Sequence, residues 1–210
     1  MVTNPPFGGI EEPGIEQNFP QSIRTRETAD LFLVLVMRLL KPGGRAGIVL
    51  PDGTLFGEGL KTRIKEQWLK ECNVHTVVRL PPTVFAPYTT IATNLIFFDK
   101  GTPTEDIWYW EHTLPLGTKA YSKTRPIDSA EFDDLRAWWF DRSAGAQSWR
   151  LTIDELRART YNMDVRNPNR ADVMDRSPED LEVEYLSTRE EVAIIIDGIR
   201  DILQSAWGEK

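Results

Sequence analysis

The sequence is poor in several residue types, and each shortage excludes a class of protein. It has one cysteine, Cys72, so no internal disulfide can form. Two histidines, His75 and His112, together with Cys72 are too few and too scattered for a recognisable zinc site. No apolar run reaches the ~18 residues of a membrane span. The N-terminus also lacks the basic and apolar regions of a signal peptide, so we interpret the chain as cytoplasmic, without a membrane partner.

Positive charge is also scarce. The 210 residues include 25 Lys and Arg against 32 Asp and Glu, a formal net charge of -7. Non-specific affinity for nucleic acid comes largely from Lys and Arg that neutralise phosphates, so a self-sufficient nucleic-acid binder is not expected. Contacts with nucleic acid would be local or shared with a partner. The basic candidates, each of which fits a solvated face as well, are Arg24, Arg26, Lys61, Arg63 and Lys65.

The first half of the chain alternates helix and strand patterns. Helices are predicted over 27–40 and 58–71, and strands over 45–50, 75–80 and 93–98. This rhythm is typical of a parallel α/β sheet. The last of these strands follows "PPTVFAPYTT" without a crossover helix, so we predict that it is antiparallel. The stretch "PDGTLFGEG" between the first strand and the second helix is predicted as a loop.

We predict three regions along the chain. Residues 1–101 form the α/β part, and residues 102–177 form a small aromatic-rich α+β subdomain with a linker. Residues 178–210 form a C-terminal helix. The tryptophans of the middle region fill a small core or stack on bases, and the core is favoured; they are Trp108, Trp110, Trp138, Trp139 and Trp149.

The C-terminal region has the most regular periodicity. Its residues at alternating spacings of four and three form the stripe of a coiled coil, and they are Leu181, Tyr185, Thr188, Val192, Ile195, Ile199, Ile202 and Ala206. A partner helix would dock on this stripe, with Val192, Ile195, Ile199 and Ile202 as the contacts. The alternative is that the helix packs back on its own domain, because Ile194, Ile196 and Leu203 widen the apolar face.

The opening stretch "TNPPFGG" contains the strongest candidate for a chemical site. Asn4 and the carbonyl of Pro5 can accept two hydrogen bonds from one exocyclic amine of a base, which localises electron density on that nitrogen. Pro5 and Pro6 fix the backbone direction, and Phe7 offers an aromatic face to a flipped base. Asn4, Pro5, Pro6 and Phe7 are therefore the predicted catalytic residues. A plain Pro/Gly turn is the alternative interpretation.

Four stretches together resemble the modification subunit of type I restriction-modification systems, an adenine-specific DNA methyltransferase. They are "TNPPFGG", "ETADLFLVLVMRLLKPGGRAGIVLPDGTLFGEG", "KTRIKEQWLKECNVHTVVRLPPTVFAPYTTIATNLIFFDKG" and "YNMDVRNP". The resemblance covers nearly the whole chain. It implies the C-terminal half of a Rossmann-like sheet that uses S-adenosylmethionine and methylates the amino nitrogen of adenine in DNA.

The resemblance also implies partners and a second base contact. Asn4, Pro5, Pro6 and Phe7 occupy the family's catalytic tetrapeptide, and Phe85 matches a region where related enzymes place a second aromatic wall. Target reading in the family belongs to a separate specificity subunit, and the C-terminal helix is the expected docking surface for it. DNA and the restriction subunit are the other implied partners.

The family's cofactor loop and its ribose-binding acidic residue lie upstream of the tetrapeptide, and we find no equivalent in this sequence. The glycines of "FGGIEEPG" and "LFGEGLKT" do not have the dinucleotide-type spacing. We therefore expect a piece that starts at the fourth strand, is inactive alone and self-associates through an exposed sheet edge.

Other activities fit less well. Methylation of the cytosine ring needs a nucleophilic cysteine, whereas Cys72 lies in the charged stretch "LKECN". Methylation of the cytosine amino group stays open from the tetrapeptide, and only the resemblance favours adenine. A catalytically dead module that docks to a specificity subunit is the second interpretation of the whole chain.

Overall fold

A computed structural model describes residues 1–170 and 178–207. Its regular elements, in chain order, are β1 (Val2–Thr3), α1 (Thr28–Leu39), β2 (Arg45–Pro51), α2 (Asp52–Phe56), α3 (Leu60–Glu71), β3 (Cys72–Arg79), β4 (Thr93–Lys100), β5 (Asp106–Glu111), α4 (Asp133–Phe140), β6 (Ser148–Thr152), α5 (Ile153–Ala158) and α6 (Pro178–Trp207). Among the described residues no helix is long and apolar enough to cross a bilayer.

One mixed sheet of six strands, in the order β1-β2-β4-β3-β5-β6, organises the first 169 residues. β4 runs antiparallel to both of its neighbours, as the missing crossover helix predicted. β1, β2, β3 and β5 run in the same direction. Their last residues therefore meet at one end of the sheet, which we call the carboxyl end. The α/β class expected from the sequence is confirmed.

The main core lies on one face of the sheet. Alternate residues of β2 and β4, such as Ile48, Leu50, Ile96 and Phe98, pack there against α1, α3 and α5. α1 is buried along most of its surface, as its nearly continuous apolar composition indicated. Each fully buried aliphatic or aromatic side chain stabilises the fold by about 1.5–3 kcal/mol.

The opposite face is covered by α4 over β3, β4 and β5. Trp110 and Trp138 are buried in this second cluster, and Trp108 and Trp139 are half-buried against it. Trp149 belongs to the main core, where its ring stacks on Tyr109 at a centroid distance of 5.3 Å. The interpretation of these tryptophans as core residues, rather than base-stacking platforms, is therefore confirmed.

The predicted boundary at residue 101 does not separate two folded units. β5 pairs with β3 and β6 pairs with β5, so the sheet continues through the aromatic-rich region. The described chain divides instead into Met1–Asn169 and a second unit that starts at Arg170. The boundary depends on strand pairing between residues distant in sequence, which local composition cannot predict.

Two local predictions also need correction. The stretch predicted as a loop at 51–59 contains the short helix α2, because Lys65 donates to the carbonyls of Leu55 and Gly57 and closes its last turn. The stretch 159–180 is predicted as a linker or loop. Residues 161–169 have no regular structure but are packed, since Met163 and Val165 are buried. Residues 171–177 lie outside the described residues, and 178–180 belong to α6.

Candidate active site at the carboxyl end of the sheet

The tetrapeptide Asn4–Phe7 is fixed at both ends. On one side β1 pairs with β2, with Thr3 opposite Ile48, so Asn4 emerges at the carboxyl end of the sheet. On the other side the Thr28 amide, at the start of α1, donates to the Gly9 carbonyl at 3.3 Å. The chain between β1 and α1 is thereby held across the end of the sheet.

The four side chains of the tetrapeptide differ in exposure. Pro5 is buried and Phe7 is half-buried, whereas Asn4 and Pro6 are exposed. Asn4 forms no hydrogen bond with any residue that the structure describes. Its amide oxygen is therefore free to accept from a ligand, while the buried proline anchors the backbone beneath it.

Phe85 lies beside Phe7. Their ring centroids are 4.9 Å apart with an interplanar angle of 64°, an edge-on contact. Phe85 belongs to the segment between β3 and β4, which consists of successive tight turns. In one of them the Tyr88 amide donates a hydrogen bond to the Phe85 carbonyl at 2.9 Å. The structure thus brings together two aromatic residues that are 78 positions apart in the sequence.

A polar network that the sequence did not reveal supports this end of the sheet. Arg79, the last residue of β3, bonds the Asp164 carboxylate and reaches Asp52 at 3.5 Å. The Asn94 amide donates to the other oxygen of Asp52 at 2.6 Å. The network joins the start of α2, the end of β3, the start of β4 and the packed segment 161–169. In the sequence, only the stretch "YNMDVRNP", which contains Asp164, pointed to this network. Its partner Arg79 lies 85 residues away.

α2, which begins at Asp52, is stabilised by a buried lysine. Lys65 is 1% exposed, and its ammonium donates to Leu55 O at 2.6 Å and Gly57 O at 2.9 Å. Burial, with a smaller effect from the Lys61 charge, lowers the pKa of Lys65 to about 8. Lys61 pairs with Asp30 at 3.0 Å. Of the basic candidates for nucleic acid, Lys61 and Lys65 are therefore tied to the fold instead.

Cys72 has no features of a nucleophile. It is fully buried at the first position of β3, and burial raises the pKa of its thiol to about 11. The thiolate needed for attack on a cytosine ring is therefore scarce at neutral pH. This agrees with the structural role expected from the sequence.

S-adenosylmethionine, the donor implied by the resemblance, needs polar and charged partners for its ribose hydroxyls and its amino-acid end. The charged groups described at the carboxyl end of the sheet, Arg79, Asp52 and Asp164, are bonded to one another instead. Of the two glycines that follow the tetrapeptide, Gly9 packs against the fold: its φ is +116°, and a Cβ there would lie 3.2 Å from Thr28 Oγ1, whereas a Cβ on Gly8 would meet nothing within 4 Å. A Cβ on Gly57 would collide with the Lys61 side chain at 2.0 Å.

α6 presents part of the predicted stripe. Val192, Ile195 and Ile199 are 48%, 61% and 52% exposed, an unusual state for three aliphatic residues on one helical face. The side chain of Ile202, the fourth predicted contact, lies outside the described residues.

Comparisons with known proteins identify the type of chain. The family model described as N-6 DNA Methylase matches residues 1–176. The methylase subunit of the type I restriction enzyme EcoEI of Escherichia coli is 48% identical over 98% of this chain, which spans 44% of that subunit's length. The crystal structure of a modification subunit of a putative type I restriction enzyme from Vibrio vulnificus YJ016 superposes with a TM-score of 0.78 and 49% identity, over 83% of this chain and 39% of that one. A structure on complex assembly in the type I R-M system gives a TM-score of 0.76 at 39% identity, over 100% of this chain and 45% of that one.

Proposed function

Because this chain belongs to the N-6 DNA methylase family, we propose that it carries the base-gripping part of a DNA adenine-N6 methyltransferase, as the modification subunit of a type I restriction-modification system. The observation that carries the proposal is the free, exposed Asn4 amide above a buried Pro5, beside the aromatic pair Phe7 and Phe85. DNA adenine is the substrate in this proposal.

Asn4 acts on the amino group of the flipped adenine. Its side-chain oxygen accepts one amine hydrogen and the Pro5 carbonyl accepts the other, so the nitrogen lone pair stays available for the incoming methyl group. Proline rigidity lowers the entropy lost when this pair of acceptors meets the amine. The methyl donor proposed for the complete enzyme is S-adenosylmethionine, whose pocket the described residues do not complete.

Phe7 and Phe85 stabilise the base outside the duplex. Stacking on an aromatic ring contributes about 1–3 kcal/mol per base. A base held between two parallel rings needs them about 7 Å apart, since each contact is about 3.5 Å. The rings are in edge contact at 4.9 Å, so the base stacks on one ring or the segment bearing Phe85 moves outward.

The proposed protein partners are the specificity subunit and the restriction subunit of the same system. The exposed stripe of α6, with Val192, Ile195 and Ile199, is the surface proposed for the specificity subunit, and Ile202 is the fourth contact predicted from the sequence. β1 has a partner strand on one side only, so self-association through its free side is a further proposal. Sedimentation of the purified chain as a pure monomer would contradict it.

The test is methyl transfer to DNA by the complete enzyme that contains this chain, with Asn4→Ala compared to Asn4→Asp. The alanine variant lacks the acceptor and should lose about 100-fold or more in kcat, as when one electrostatic contact of a catalytic site is removed. The aspartate variant keeps an acceptor oxygen and should retain part of the activity. If Asn4→Ala keeps wild-type kcat, the role of Asn4 is wrong, and a docking module without catalytic function becomes the better interpretation.

A further inference from the structure

A positively charged segment lies between β5 and α4, in a chain that is otherwise acidic. Residues 113–127, "TLPLGTKAYSKTRPI", contain Lys119, Lys123 and Arg125 and no carboxylate, although the whole chain has a net charge of -7. All three cations are exposed. None has a carboxylate within ion-pair distance among the residues that the structure describes. They are therefore available to an external anion.

The segment is anchored at its centre, so the backbone that carries its cations is held in place. Tyr121 is 3% exposed, and its hydroxyl donates to Glu131 while it lies 3.0 Å from His112 Nε2. Burial lowers the pKa of His112. Because the tyrosine hydroxyl donates to Glu131, its oxygen can accept from an Nε2–H of His112. His112 follows β5 and Glu131 precedes α4, so one buried side chain is bonded to both bases of the loop.

The tip is a tight turn. Ser122 and Arg125 exchange backbone hydrogen bonds of 3.0 and 3.1 Å, which leaves Lys123 and Thr124 at the apex. Lys119 and Lys123 flank the anchored Tyr121 at two residues on either side. We call residues 117–126 the basic hairpin. A charged residue on an ordered backbone loses less entropy on binding than one on a free loop does.

The basic hairpin lies next to the proposed base site. The Tyr121 amide donates to Thr83 Oγ1 at 3.0 Å, and Thr83 belongs to the same turn segment as Phe85, the ring beside Phe7. The hairpin starts from the end of β5, at the carboxyl end of the sheet where Asn4 also emerges. A duplex whose base reaches Phe7 would bring its backbone to this end of the molecule.

We propose that the basic hairpin binds the phosphate backbone of DNA beside the flipped base, through Lys119, Lys123 and Arg125; this rests on the proposed function. The partner follows from charge complementarity, because three unpaired cations in an acidic chain fit a polyanion, and from the contact with the segment that carries Phe85. The contacts are to phosphates, so they add affinity and position without reading sequence.

The test is fluorescence anisotropy of the purified chain with a short labelled DNA duplex, measured over about 50–200 mM salt. The variant Lys119→Gln/Lys123→Gln/Arg125→Gln should weaken binding about tenfold or more, and it should lower the slope of log Kd against log salt by about 3, near 1 per lost phosphate contact. The control Lys41→Gln/Arg45→Gln/Lys70→Gln removes the same charge at the other end of the sheet and should bind like the wild type. A variant that keeps the charges, Lys119→Arg/Lys123→Arg/Arg125→Lys, should also keep the binding.

Equal losses in the hairpin variant and in the Lys41/Arg45/Lys70 control would overturn the proposal, because binding would then follow net charge alone. So would an unchanged salt slope in the hairpin variant, or a wild-type chain without salt-dependent DNA binding. Asn4→Ala distinguishes this failure from that of the proposed function, since it removes no phosphate contact and should keep the salt slope of the wild type. Full methylation by Asn4→Ala with loss of binding in the hairpin variant would overturn only the role of Asn4.

Discussion

Single residues at the carboxyl end of the sheet divide into those free for a ligand and those bonded to the fold. Asn4 is exposed and unbonded within the described chain, whereas Arg79, Asp52 and Asn94 bond one another. Free polar groups cost little at the surface and can be used by a substrate, while the bonded groups fix the backbone around it. Arg79 is therefore a positioning residue.

Replacing Arg79 by Met should lower the free energy of unfolding by about 1–3 kcal/mol, because the partly buried carboxylates of Asp52 and Asp164 lose a charged partner. Urea unfolding of the purified chain measures this. Arg136→Met is the control, since Arg136 pairs with Asp133 on the exposed face of α4 and should change stability by no more than about 0.5 kcal/mol. Similar losses in both variants would contradict the role given to Arg79.

Secondary-structure elements show how far local sequence patterns suffice. α1 and α3 fall within two residues of their predicted bounds. The nearly continuous apolar composition of α1 and the "KPGG" after it mark the first of these helices. α2 was missed because Gly53 and Gly57 indicate a loop, and only the distant Lys65 stabilises the helical turn. The joining of β5 and β6 to the sheet depends on pairing across the chain, so composition could not show it.

The candidate site likewise combines features that local sequence patterns predict with contacts that they do not. The tetrapeptide was identifiable because the contacts proposed for it lie within four consecutive residues. The network of Arg79 and Asp164 and the contact of Tyr121 with Thr83 join residues 85 and 38 positions apart, which no local pattern predicts. The basic hairpin did have a local signal, three cations without a carboxylate, and only its position beside Phe85 needed the fold.

Among the secondary-structure elements, α6 is the one for which we predict an effect on binding of the specificity subunit. Ile199→Glu should weaken binding of the specificity subunit by about 10–100-fold, because burying one aliphatic side chain contributes about 1.5–3 kcal/mol. Isothermal titration of the two proteins measures it. Ala193→Glu introduces the same charge away from the stripe and should bind normally. If Ile199→Glu binds the specificity subunit with full affinity, the stripe is not part of the interface.

For the whole molecule, the central claim is that the described residues grip the base but do not hold the methyl donor. The sheet, the tetrapeptide and the aromatic pair lie in one unit, Met1–Asn169, and the chain spans 44% of the length of the EcoEI subunit. Gly9, next to the tetrapeptide, packs against Thr28 of the fold itself. We propose a division of the two tasks between this chain and another part of the enzyme.

The most direct measurement is the thermal unfolding of the purified chain with and without saturating S-adenosylmethionine. A ligand at about 100 times its Kd stabilises a protein by about 2.7 kcal/mol, which such an experiment resolves easily. We expect no change in Tm, because the charged groups at the carboxyl end of the sheet, Arg79, Asp52 and Asp164, are bonded to one another. A clear increase in Tm would contradict the claim and would show that this chain binds the methyl donor itself.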